Sequence, residues 1–186
     1  NIKFWLNRFP DWDLEKKNKF VGGFALGCAI SQGPLRYDLV KLLIKRGASL
    51  ATLTYPGGST LFNVCGTEDS DLNAITHLLT HHKKDFDINH RRIATKFKWR
   101  CIHRLALILT KSGASSSGLM IDLASQSGAT VLQHAIQRGD VDVVNILLRH
   151  GADPTIKNDL GKSPLEYCDA FPELRGALKR VIHMQE

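Results

Sequence analysis

The sequence has no apolar run long enough to cross a bilayer. Its longest stretch of apolar residues and glycine, Phe20 to Ile30, is 11 residues, against the roughly 20 a spanning helix needs. It does not open with a charged-then-apolar signal segment; it begins at Asn1 and reads as an excerpt of a longer chain. Its 4 cysteines, Cys28, Cys65, Cys101 and Cys168, form no C-x-x-C pair. In a chain of this length they read as reduced, buried thiols of an intracellular protein, cytoplasmic or nuclear. His77, His81, His82, His90 and Cys101 lack zinc-finger spacing, so no metal ligand set is assigned. Gly22 to Gly27 (GGFALG) lacks the Lys-Ser/Thr ending of a phosphate loop. No G-x-S-x-G elbow appears. The chain therefore shows no enzyme, no cofactor site and no small-molecule substrate site.

What is present is helical periodicity. With 186 residues, 43% hydrophobic and 23% charged, the chain suits one domain with an adequate core. The clearest stretch is Gly128 to Gly161, GATVLQHAIQRGDVDVVNILLRHGADPTIKNDLG. Val131, Leu132, Ala135 and Ile136 fall at helical spacing, and Gly139 ends the run. Asp140 caps a second run in which Val141, Val144, Ile146, Leu147 and Leu148 form an apolar stripe. Gly151 stops it after the basic pair Arg149 and His150, and Pro154 forbids continuation. The unit is a short helix, a turn, a longer helix and a loop, and neither helix buries its stripe alone.

At Gly161 the pattern restarts, 33 residues after Gly128: GKSPLEYC follows GATVLQHA. This resembles the ankyrin repeat, with a period of 33 residues and the signature T-P-L-H-x-A. Ser163, Pro164 and Leu165 keep three of those positions, and Thr130 and Leu132 keep two. The resemblance extends over about residues 19 to 182. It implies an all-α solenoid of about five helix-pair units, opening near Gly22, Gly57, His90, Gly128 and Gly161 at spacings of 35, 33, 38 and 33. Leu26 and Ala29 match Leu132 and Ala135 in the first unit, with Gly33 as helix stop and two residues inserted around Pro34. Leu61 and Val64 open the second unit, with His82 in the place of its closing glycine. In the third, Arg92, Ile93 and Ala94 stand where the signature belongs, and Leu105, Ile108, Leu109 and Gly113 supply its second helix. Ala114 to Gly118 (ASSSG) reads as an enlarged loop. Residues 1–18 are expected to form a helical N-terminal cap, with Trp5 and Trp12 as packing residues and a second short helix through LEKKNK. Phe171, Leu174, Leu178 and Val181 make a final capping helix with Arg175, Lys179 and Arg180 facing water.

Charge is concentrated. Lys83, Lys84, Arg91, Arg92, Lys96, Lys98, Arg100 and Arg104 face only Asp85 and Asp87 between positions 81 and 104, nearly the whole +7 of the chain. That segment is either a solvated face or an anion-facing patch. The resemblance implies binding through the finger loops and inner-helix ends on the concave side. Carried over by register, those positions are Tyr55, Pro56 and Thr67; Ile88, Asn89, Arg91, Trp99 and Arg100; and Gln126, Ser127, Ala129, Gln137 and Arg138. Tryptophan, tyrosine and arginine most often dominate interface energetics. The resulting expectation is a protein–protein interaction module whose partner is another protein, an acidic segment suiting the patch. Nucleic acid bound by the same patch is the alternative, since arginine beside aromatics also suits stacked bases. No membrane insertion is expected.

Overall fold

The computed structural model describes residues 2–30, 36–66 and 72–183. The expected helix stop at Gly33, the insertion around Pro34 and the position Thr67 lie outside the described residues, as does the side chain of Trp5. Every described element is helical. They are α1 (Ile2–Arg8), α2 (Ala25–Ile30), α3 (Arg36–Lys45), α4 (Thr60–Cys65), α5 (Leu72–His81), α6 (Phe97–Lys111), α7 (Gly118–Gln126), α8 (Val131–Gln137), α9 (Val141–Arg149), a 3-10 helix (Pro164–Ala170) and α10 (Pro172–His183).

Two parallel rows emerge from the packing. The inner row runs α2, α4, α8 and the 3-10 helix, each against the next, and the outer row runs α3, α5, α9 and α10. Short apolar helices build the inner row because both their flanks are covered. In α4 and α8 the residues Leu61, Val64, Leu132, Ala135 and Ile136 are all buried. The outer helices bury one stripe each, such as Val143, Val144 and Leu147 of α9. Thr130 starts α8 with a capping box closed by Gln133, and Asp140 caps α9 by accepting from the Val143 amide at 3.1 Å. Each pair thus begins and ends on local signals, while its stability comes from its neighbours.

The third expected unit is corrected by this packing. α4 lies directly against α8 and α5 directly against α9, so the units opening at Gly57 and Gly128 are nearest neighbours. α6 and α7 pack chiefly on each other, as a helical hairpin inserted into the loop between α5 and α8. Its neck is pinched shut: the Arg92 amide donates to the Ala129 carbonyl at 2.9 Å and the Gly128 amide to the Arg92 carbonyl at 3.0 Å. The opening positions agree. Gly22, Gly57, Gly128 and Gly161 have φ between 69° and 93°, whereas His90 does not adopt a left-handed backbone. At Gly57 a side chain has no room either, since a Cβ there lies 2.3 Å from the Ile93 carbonyl oxygen.

Ahead of the first pair, α1 buries Leu6, and Arg46 at the end of α3 donates to the Leu6 carbonyl at 3.1 Å. Glu15 accepts from the Ser49 amide at 2.8 Å and also bonds the Thr52 hydroxyl. The second short helix expected through LEKKNK is absent; residues 14–21 form turns, and Asp13 bonds the Glu15 amide instead of opening a helix. Trp12 is 47% exposed. The thiols divide: Cys65 and Cys168 are buried, but Cys28 and Cys101 are exposed, against the expectation of four buried thiols. Burial pushes the Cys65 thiol far up from its ordinary value. At the far end, α10 buries Leu174 and Leu178 and turns Arg175, Lys179 and Arg180 outward. Among the described residues no helix is long and apolar enough to cross a membrane.

Candidate functional site

The inserted hairpin decides where the basic residues go. Arg91 and Arg92 are consecutive at its neck and point to different tasks. The Arg91 guanidinium donates to the Gly128 carbonyl at 3.1 Å and to Asp159 at 2.7 Å. Asp159 also accepts from the Ser127 hydroxyl at 2.6 Å. Arg91 therefore ties the neck to the next finger loop. Asn89 does the same one step earlier, accepting from the Asp153 amide at 2.8 Å.

Arg92 turns inward. Its Nε donates to the Pro56 carbonyl at 3.4 Å, Nη1 bonds the Gln126 side-chain oxygen, and the guanidinium lies 5.5 Å over the Phe62 ring. Among the described residues no carboxylate stands within ion-pair distance of it. Burial lowers its pKa from the ordinary arginine value, with Asp122 opposing from further away. It lines a cleft of about 370 Å³ on the inner-helix face, together with Asn18, Cys28, Phe62, Asn63 and His134. The His134 ring sits 5.0 Å from the Phe62 ring. Burial, then Arg92 and Arg138, push its pKa down to about 4, so it is neutral at physiological pH. The cleft thus holds one unmatched positive charge beside a neutral imidazole, an aromatic ring and side-chain amides. That arrangement favours an anionic group with one apolar flank.

The other basic residues separate into two places. Lys83 and Lys84 are exposed just after α5. Lys96, Lys98, Arg100 and Arg104 are exposed on α6 or at its start. Lys96 lies 5.2 Å over the Tyr55 ring. Arg100 and Arg104 line a second cleft of about 190 Å³, which Arg92 and His103 also line. Here His103 is held neutral, its pKa lowered by burial and by Arg92 against the opposing Asp159.

Two expected binding positions are displaced by the register correction. Trp99 and Arg100 do not end an inner helix; they occupy the first turn of α6 in the insertion. Trp99 is half-buried, and its Nε1 donates to the Phe20 carbonyl at 3.3 Å, fastening the hairpin to the loop before α2. Gln137 and Arg138 do end an inner helix, α8, and Gln137 bonds the Tyr167 hydroxyl. The cleft residues Phe62, Asn63 and His134 were not singled out from the sequence. His134 falls at the unconstrained x of T-P-L-H-x-A, so the signature carries no signal for it.

Residues 121–168 match the family model described as ankyrin repeats (many copies). That segment carries ankyrin repeats, within a stack whose described elements are all helical. Ankyrin repeats are protein–protein interaction modules, typically without catalytic activity. No curated protein matches the chain.

Proposed function

We propose that the protein receives an acidic segment of another protein on its inner-helix face, with Arg92 as the central charge. The observation that supports this reading is the half-buried Arg92 guanidinium, unmatched by a described carboxylate and lining a 370 Å³ cleft. A carboxylate there gains a charge-assisted hydrogen bond in a partly desolvated site. Lys96, Arg100 and Arg104 around it raise the rate of encounter more than the final affinity. Nucleic acid is the second reading, favoured by the exposed cations of α6. Against it stands Trp99, whose ring is engaged at the base of the hairpin rather than offered to a base.

Fluorescence anisotropy with a Glu/Asp-rich peptide and a single-stranded RNA of equal charge, over a range of salt, separates the two. The peptide should bind, and Arg92→Gln should weaken it by about tenfold or more. Tighter RNA binding with a steep salt slope, unchanged by Arg92→Gln, would replace this reading with the second.

A further inference from the structure

The inserted hairpin carries a feature that the cleft does not use. Phe97, Cys101, Leu105 and Ile108 of α6 are all exposed, Phe97 at 75%, Leu105 at 53% and Ile108 at 57%. At roughly 100° per residue these four fall within an arc of about 80°, one continuous stripe some 16 Å long. The opposite side of the helix holds the buried Ala106 and His103 and the half-buried Trp99. α6 is thus apolar on its water side as well as on its packed side, which a solvated surface helix does not require.

Charges frame the stripe. Arg100, Arg104 and Lys111 lie along one edge at helical spacing, and Lys98 lies on the other. α6 has no acidic residue, and Asp122 is the one carboxylate between positions 93 and 127. We infer that this face of α6 docks an amphipathic helix of a partner protein, with apolar residues against the stripe and carboxylates opposite Arg100, Arg104 and Lys111. A second copy of this chain is disfavoured by the same charges, because pairing α6 with itself brings cations to cations in a chain of net charge +7. An anionic membrane surface is disfavoured by the narrow apolar arc and by Trp99, which faces the stack rather than a lipid interface. A facing helix matches both the length of the stripe and the spacing of its cations.

This inference rests on the reading of the protein as an interaction module, but on an apolar stripe outside the 370 Å³ Arg92 cleft, with Arg100 and Arg104 bordering both surfaces. Its test is a display selection of helix-forming peptides, about 14 residues long to match the stripe, against the native chain and against a Leu105→Asp/Ile108→Asp variant. Both positions are exposed, so the variant should keep the native circular dichroism spectrum and unfolding midpoint. Peptides enriched on the native chain should carry apolar residues at i, i+3/i+4 and i+7 with net negative charge. Their affinity should fall at least tenfold on the stripe variant, fall on Arg100→Glu/Arg104→Glu, and stay unchanged on Arg92→Gln. Enriched peptides without that pattern, or insensitive to the stripe variant, overturn the inference. So does a native chain whose self-association, or whose binding to phosphatidylserine vesicles, is abolished by Leu105→Asp while no peptide is enriched. Peptides that lose affinity on Arg92→Gln alone leave the cleft reading standing and remove the stripe.

Discussion

If α6 and α7 are an insertion, the stack should survive without them. The perturbation is excision of residues 93–126, leaving Arg92 joined through one glycine to Ser127. The ends are already bonded across the neck, Arg92 to Gly128 and Ala129 at 3.0 and 2.9 Å, so a two-residue turn of Gly and Ser127 can bridge them. Five polar contacts to the stack are lost: Trp99 to Phe20, Ser125 to Asn158, Gln126 to Arg92, the Thr95 amide to Tyr55, and the Thr95 hydroxyl to the Thr54 and Tyr55 carbonyls. At about 1 kcal/mol each they amount to roughly 5 kcal/mol. Replacing a loop of roughly 35 residues with one of two saves about four doublings of closure entropy, on the order of 2.5 kcal/mol. The difference is about 2.5 kcal/mol, and the excised chain should be less stable than the parent by roughly that amount while keeping its fold. The buried apolar residues of the excised segment, Ala94, Ala106 and Ala124, lie outside the main core cluster. Guanidinium unfolding followed by circular dichroism and by the fluorescence of Trp5 and Trp12 should show one cooperative transition with coincident midpoints. A repeat internal to the stack behaves otherwise, since its removal deletes two neighbour interfaces. A loss above about 4 kcal/mol, or two separated transitions, refutes the assignment of α6 and α7 as an insertion.

Leu147→Ala in α9, where the side chain is fully buried, should cost about 2–5 kcal/mol; an unchanged denaturation midpoint would mean that the outer-row stripe carries no stability. The pH dependence follows from His134, whose pKa falls from 6.5 to about 4 on folding. Between those values the unfolded chain binds the proton and the folded chain resists it, so stability is full above pH 6.5 and declines as pH falls toward 4. From pH 7 to pH 5 the loss should be roughly 2 kcal/mol, with His103 and His77, also lowered on folding, adding in the same direction. His134→Gln should flatten the slope in that window, and an equally steep slope in the variant would place the titration elsewhere.

Much of the fold was legible because ankyrin-type helices announce themselves locally. Thr130 and Asp140 cap, Gly139 and Gly151 stop, and the periods of Leu132, Ile136, Val144 and Leu147 choose the buried faces within a few residues of chain. Each of these signals acts over one or two turns, so sequence alone determined helix pairs, their approximate limits and the all-helical stack. It did not determine which pair touches which. The insertion spaces His90 and Gly128 38 residues apart, close to one repeat, and α6 has helical apolar periodicity, so it imitates a repeat in spacing and in its second helix although Arg92, Ile93 and Ala94 lack the signature. Only the contact of α4 with α8 and of α5 with α9 distinguishes the two cases, because neighbour order in a solenoid is a property of packing between units. The same holds for charge. The sequence gathers Arg91, Arg92 and Arg100 into one basic segment, but tertiary structure pairs Arg91 with Asp159, half-buries Arg92 against Phe62 without a carboxylate, and leaves Arg100 exposed on α6. Whether an arginine is a tie, an unmatched charge or a solvated one depends on partners dozens of residues away, and those meet only when the stack closes.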